Sequence, residues 1–291
     1  MKRIIKLTLL LLALLLPATA NAYDFKVNGI YYNITNSTNR TVEVTYQSYS
    51  NGTYSSDYSG NVNIPSTVTY NGTTYTVTAI DSDSFYGCSG LTSISIPSTI
   101  NEIGWGAFYG CGGLKSVNIT DLEAWFRISM YNYDCNPLYY AHHLYLNGKE
   151  IKDLVVPESV SGIKRLLFDG CTGLNSLKIH DSVTSIDMGA FYNCSSMTSV
   201  TIGKSLKSIG QEAFYYFSSS LIRNMIWDAE NCTSIVSNAF GVSHAILHFG
   251  NGVEHIPAGL PYLSMNGKNW YFLIVLKLLT RVHSRVTVML W

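Results

Sequence analysis

The sequence predicts a β-rich repeat solenoid with units of about 23 residues and a β N-terminal cap, and three observations carry that expectation. Phe85-Tyr86-Gly87-Cys88 and Phe108-Tyr109-Gly110-Cys111 lie 23 residues apart, as do Phe168-Asp169-Gly170-Cys171 and Phe191-Tyr192-Asn193-Cys194. Three residues after each cysteine, Leu91, Leu114, Leu174 or Met197 opens a run that alternates apolar and small polar residues. Alternation at period 2 makes a strand with one buried and one wet face. A turn and a second apolar pair follow in the matching units: Ile100 and Ile103, Val183 and Ile186, or Leu206 and Ile209. A unit with about six inward apolar residues cannot bury its own face, so copies must stack into one core.

Taken in order, residues 1–22 read as a secretory signal peptide: Lys2, Arg3 and Lys6, an apolar run from Leu7 to Leu16, then Ala20-Asn21-Ala22. That run falls short of the roughly 20 apolar residues of a membrane-spanning helix, so no integral membrane insertion of the mature chain is expected. No cysteine precedes Cys88, which removes the usual site for a lipid anchor. Residues 23–60, rich in Tyr, Thr, Asn and Ser, suit a β-rich N-terminal cap covering the open end of the core.

Residues 61–262 hold the solenoid, with about seven coils by motif count. Its repeat core is expected to comprise Phe85, Cys88, Leu91, Phe108, Cys111, Leu114, Phe168, Cys171, Leu174, Phe191, Cys194, Met197 and Phe214. The frame decays beyond Phe214, where Phe217 and later Ser243 replace the cysteine. Phe108 and Phe168 are 60 residues apart, so a long variant unit occupies about 120–153. Within it, Leu144 to Glu150 reads as a hairpin turning at Asn147-Gly148. Residues 263–291 leave the pattern. Trp270, Leu273, Ile274 and Leu278 fit one apolar helix face of a C-terminal cap, and an abnormal end or a membrane or sorting contact are the other readings.

The pattern Ala-Phe-x-x-Cys-x-x-Leu-x-x-Ile-x-Ile-Pro-x-x-Val-x-x-Ile resembles the BspA-like leucine-rich repeats of bacterial surface proteins. The run from Trp125 through Asn136-Pro137-Leu138 to Leu146-Asn147-Gly148 resembles a variant repeat of that family, and Tyr23 to Tyr32 its strand-rich N-terminal cap. The likeness covers about residues 23–260. It implies a right-handed solenoid of leucine-rich-repeat type, exported to the extracellular space or cell surface, with the periplasm as a further location. It also implies binding of host or partner-cell proteins.

Composition narrows the function. Nineteen basic and nineteen acidic residues give zero formal net charge without a dense basic cluster, so the footprint of a nucleic-acid binder is missing. Charged residues are 13% of the chain whereas tyrosines number 21, so Ser, Thr, Asn, Gly and Tyr must build the wet surface. Four of the six cysteines share one repeat position among core residues and read as a ladder of buried free thiols. Cys135 and Cys232 lie outside that register and are the candidates for a disulfide or a reactive thiol.

No catalytic or metal motif stands, and no cofactor is expected. His142-His143, near Asp134 and Cys135, lacks the second cluster that zinc requires. His180-Asp181-Ser182 holds triad residue types in sequence adjacency, where they cannot converge. Asp81-Ser82-Asp83-Ser84 lacks the glycine and glutamate of a calcium loop. The candidate binding face lies instead on two repeat rows. Ser93, Ser95, Ser116, Asn118, Ser176, Lys178, Ser199 and Thr201 should form a flat polar sheet face, beside a row of Tyr86, Tyr109, Tyr192 and Tyr215. These rows point to a non-enzymatic protein-binding surface, with a glycan-binding or accessory module that positions a separate enzyme as the alternative; both rows also read as repeat filler that keeps the solenoid soluble.

Overall fold

The computed structural model describes residues 22–215, 222–236, 238–241, 245–250, 252–253 and 286–288. The expected signal peptide, the helix face around Trp270, and the positions of Phe217 and Ser243 lie outside the described residues.

Two antiparallel ladders start the fold: Phe25–Val27 on Ile30–Asn36, and Ile30–Asn36 on Thr41–Thr45. Thr67–Tyr70 and Thr73–Ile80 form a further hairpin, as do Ser48–Ser50 and Thr53–Ser55. Each hairpin except that joining Ile30–Asn36 to Thr41–Thr45 turns on an Asn-Gly pair with both φ angles positive: Asn28-Gly29, Asn51-Gly52 and Asn71-Gly72. Such pairs suit the type I′ turn, which needs two left-handed residues. The expected hairpin at Asn147-Gly148 is present with the same geometry, joining Leu144–Leu146 to Lys149–Glu150.

Thr41–Thr45 then pairs in parallel with Thr73–Ile80, and the pairing changes from hairpin to coil. From there the chain winds as a β-solenoid of about six turns, and the stretch before Phe85 already joins it, with Gly60–Asn63 parallel to Leu91–Ile96 and Thr73–Ile80 parallel to Glu102–Ile103. Each turn contributes one strand to a wide parallel sheet and a two-residue strand to a narrow one. Register follows the repeat period directly: Ser93 faces Ser116, Ser176 faces Ser199, and Ser185 faces Ser208.

Between the sheets runs a stack of phenylalanines. Phe85 and Phe108 lie 4.9 Å apart at 5°, Phe168 and Phe191 5.3 Å at 7°, Phe191 and Phe214 5.4 Å at 8°, and Phe214 and Phe240 5.1 Å at 7°. Rings so placed fill the core at each coil and tie it to the next. The cysteine three residues on explains itself in the same way. Cys111 donates its thiol hydrogen to Phe85 O at 3.1 Å, and Cys194 to Phe168 O at 3.2 Å. A small apolar side chain with a weak donor fits a core position that faces a carbonyl. The glycine between them is required by backbone geometry: Gly110 has φ 74°, and a Cβ there would stand 3.3 Å from Gly87 Cα.

The variant unit breaks both sheets. Leu144–Leu146 extends the first wide sheet and its hairpin partner closes the edge; a second wide sheet starts at Asp153–Val155. Asp121 caps the helix Leu122–Arg127 by accepting from Ala124 N at 3.0 Å, and the helix buries Trp125 and Phe126. Phe108 N donates to Asp134 O, as Phe85 N does to Ala107 O, so Cys135 occupies the ladder position of a phenylalanine. Phe126 reaches Phe168 at 5.3 Å and restores ring contact across the seam. Buried Asn136 donates to Leu166 O at 2.6 Å and to Asp169 O at 3.3 Å, and accepts from Leu138 N. Asn136 thereby satisfies backbone groups that the missing sheet pairing would leave orphaned.

At the other end, Val286–Val288 pairs antiparallel with Ala245–Phe249, so part of the tail covers the edge of the last strand.

All six cysteines are free and buried. Cys135 and Cys232, the candidates for a disulfide or a reactive thiol, are thus buried free thiols like the other four. Cys135 Sγ accepts from Tyr131 N and Asn132 N and donates to Asn132 O, and burial raises the pKa of both residues. Burial likewise pushes Cys88 up to about 11 and Cys111 and Cys171 up to about 12. A thiol-specific colorimetric reagent at pH 8 should therefore label none of the six in the native protein within minutes, and all six in denaturant. Phe191→Ala should cost about 3–5 kcal/mol in a denaturant titration, because the ring is fully buried between two others.

Candidate functional site

The expected serine face exists, but as two blocks. Ser93, Ser95, Ser116 and Asn118 stand on the first wide sheet, and Ser176, Lys178, Ser199 and Thr201 on the second. The 144–150 hairpin lies between them, so the single continuous face drawn from the sequence is corrected to two. Much of its hydrogen-bonding capacity is spent internally. Ser116 Oγ donates to Ser93 Oγ at 2.9 Å, Asn118 Nδ2 donates to the same oxygen at 2.9 Å, and Ser176 Oγ donates to Asp153 Oδ1 at 2.5 Å. Such bonds between successive coils lock register more than they solicit a partner.

The tyrosine row is longer than the repeat frame implies. Tyr86 and Tyr109 stack at 5.0 Å and 15°, and Tyr192 and Tyr215 at 6.0 Å and 15°. Asp169 sits at the tyrosine position of the coil between them, and the variant unit fills the gap. Tyr133 approaches Tyr192 at 5.9 Å and Tyr139 at 6.5 Å, while Tyr140 packs on Tyr139 and takes the Gly110 N–H through its hydroxyl. At the N-terminal end Tyr54 extends the row to Tyr86 at 6.0 Å. Tyr54, Tyr133 and Tyr139 carry no repeat signature, so nothing in the period marks them; only the folded insertion and cap bring them into line.

Tyr109 is 47% exposed, and Trp105 four residues earlier is 59% exposed. Stacking within each pair covers ring surface of Tyr86 against Tyr109 and of Tyr192 against Tyr215.

Asp169 is the electrostatic exception. It is fully buried, and neither carboxyl oxygen has a hydrogen-bond partner. Burial pushes its pKa up to about 8, and it sits close enough to Tyr133 and Cys194 to raise theirs. A proton on this carboxyl at neutral pH removes the cost of a buried charge at the seam.

The residues weighed for chemistry are used as turn and loop fasteners. His142 Nδ1 bonds Gly170 O at 2.9 Å, and His143 Nδ1 meets Glu150 Oε1 at 2.6 Å. His180 faces Glu158, Asp181 accepts from Lys204 N, and Ser182 donates to Val160 O, so the three side chains diverge. Asp81 accepts from Thr45 Oγ1 and Ser82 N, and Ser84 donates to Val44 O. Among the described residues, no group of three or more His, Cys, Asp or Glu is placed to hold a metal ion.

The family model of the BspA type leucine rich repeat region matches in six copies over residues 73–143 and 141–258, well over half of the chain. The protein belongs to the BspA-type leucine-rich-repeat family. Among solved structures it is similar to a leucine-rich cell surface protein from Faecalibacterium prausnitzii, with 24% identity over 71% of this chain and 55% of that one and a TM-score of 0.47. The BspA-type chain thus spans little more than half the length of that protein. It is also similar to a leucine-rich repeat protein from Bacteroides ovatus, with 23% identity over 77% of this chain and 71% of that one and a TM-score of 0.39. The pneumococcal vaccine antigen PcpA shares 15% identity over 81% and 83% of the two chains, with a TM-score of 0.39. No curated protein sequence matches the chain.

The buried carboxyl of this BspA-type solenoid makes stability depend on pH. Asp169 titrates near 8 when folded and near its ordinary 3.8 when unfolded, so the folded state holds a proton that the unfolded state has lost between those values. Stability from this group therefore falls as pH rises from about 4 to about 8 and levels off above. In thermal melts across that range, Asp169→Asn should gain at least about 1 kcal/mol over the wild type, a relative rise of about 2–4 °C in Tm.

Proposed function

We propose that this BspA-type protein acts outside the cytoplasm, at the cell surface or in the extracellular space, as a non-enzymatic binding surface for other proteins. Adhesion to host-matrix or partner-cell proteins is the form of binding its family and surface favour. The observation that carries this reading is the tyrosine row, with rings of successive coils stacked on one another. Tyrosine offers stiff, amphipathic contact area at low conformational-entropy cost, and a backbone fixed by coil stacking adds little more. The two polar sheet blocks supply flat flanking surface with few charges to desolvate. Residues 1–22 carry the features of an export signal, which supports the location.

A specific observation also favours a glycan-binding or accessory role. Sugars stack best on a ring that stands clear of other rings, which tyrosines stacked in pairs do not offer. Trp105, exposed and absent from the stacked pairs among the described residues, does.

Purified protein incubated on an array of extracellular-matrix proteins and glycans should show saturable binding to protein spots. Glycan-only binding would put the accessory reading first. The double variant Tyr109→Ala/Tyr192→Ala should weaken the protein signal by about tenfold or more while retaining the cooperative thermal transition. Unchanged affinity in a folded double variant would remove the row from the binding surface.

A further inference from the structure

Charge is unevenly distributed along this neutral chain. From Thr41 to Leu114 there is no Lys, Arg or His, whereas Glu43, Asp57, Asp81, Asp83 and Glu102 all fall in that stretch. Asp57 is paired with Lys26 at 3.5 Å. Among the described residues, none of the other four forms an ion pair.

The fold gathers those four on one side. Glu43 and Glu102 both pair with Ala79 across the N-terminal and narrow sheets, and Asp81, two residues on, shares the same outward face. Burial first, and then the nearby Asp81 and Glu102 carboxylates, push Glu43 up to about 7. Asp83 carries the negative strip around the edge: its N–H donates to Trp105 O, and its carboxylate covers Gly106, where a Cβ would lie 2.5 Å from Oδ1. Trp105 flanks it, and Tyr54, Tyr86 and Tyr109 begin just beyond. Past the seam the sign reverses, with Lys164 and Arg165 one and two residues after the narrow strand Gly162–Ile163, as Gly104 and Trp105 follow Glu102–Ile103.

We propose that this face, formed by Trp105 and the adjoining tyrosines and ringed by Asp81, Asp83 and Glu102, docks an arginine-rich segment of a partner protein. The inference rests on the protein-binding reading and names the chemistry of the partner. A guanidinium lays its plane against an aromatic ring while its N–H fork meets a carboxylate, and this face offers both within one edge of the coil. Lysine satisfies the charge but not the stacking. Uncompensated carboxylates also draw a cationic segment from a distance, an attraction that salt screens.

The test uses the whole protein and two fluorescent peptides, nine arginines and nine lysines, followed by anisotropy. The arginine peptide should bind several-fold more tightly than the lysine peptide. Asp83→Asn/Glu102→Gln should weaken it about tenfold, and Trp105→Ala should reduce the preference for arginine. Asp153→Asn/Glu158→Gln, which removes the same charge from the second half of the solenoid, should leave affinity unchanged. Thermal melts confirm that each variant folds. Equal loss in both charge pairs, equal affinity for the two peptides, or no binding at all would overturn the proposal. So would self-association abolished by Asp83→Asn/Glu102→Gln, which would assign the face to a second copy of this chain. Matrix-protein binding that survives in that variant would sink this inference and leave the broader protein-binding reading intact. Arginine-peptide binding with a silent protein array would do the reverse.

Discussion

One constraint organises this molecule: a phenylalanine ring must land on the ring of the coil before it, about 5 Å away and nearly parallel. Everything else in the 23-residue unit serves that step. The glycine or asparagine two residues later takes a left-handed φ that turns the chain, and the cysteine after it donates to the carbonyl of the preceding phenylalanine. The apolar residues of both strands close the two sides. Because each coil buries its face on its neighbours alone, stability is local and additive along the axis, and the ladder is what transmits register.

The seam shows what happens when the step is interrupted. Neither sheet runs through it. Continuity passes to side chains: Phe126 supplies a ring, Asn136 supplies amide hydrogens, and His142 and Lys164 bond across to the neighbouring coil. Asp169 is the cost, since it is enclosed by the same insertion that fastens the halves and is left without a partner.

Surface character follows from this construction. A solenoid with few charges has to face water with hydroxyls, amides and phenols, and the coil repeat turns each choice into a row. The serine row largely satisfies itself, as Ser93 shows by accepting from two neighbours. The tyrosine row is tied down partly by ring stacking and partly by its phenols, as Tyr140 shows by accepting from Gly110 N and donating to Asp134 Oδ1. The anionic stretch before Lys115 adds a polarity that neither row has on its own.

By itself the sequence determined the period, the family likeness, the buried identity of the Phe, Cys and Leu positions, and the hairpin at Asn147-Gly148. Those features depend on contacts between equivalent residues, so spacing along the chain reports them directly. Tertiary structure alone decided that the serine face is split, that Tyr54, Tyr133 and Tyr139 join the tyrosine row, and that Asp169 is sealed from solvent. It also decided that Cys135 stands in for a phenylalanine, and that Glu43, Asp81 and Glu102 share a face. Each of these arises where the chain leaves its period, at the N-terminal strands and the variant unit. There, contacts join residues with no common repeat position, and linear spacing carries no information about which of them will meet.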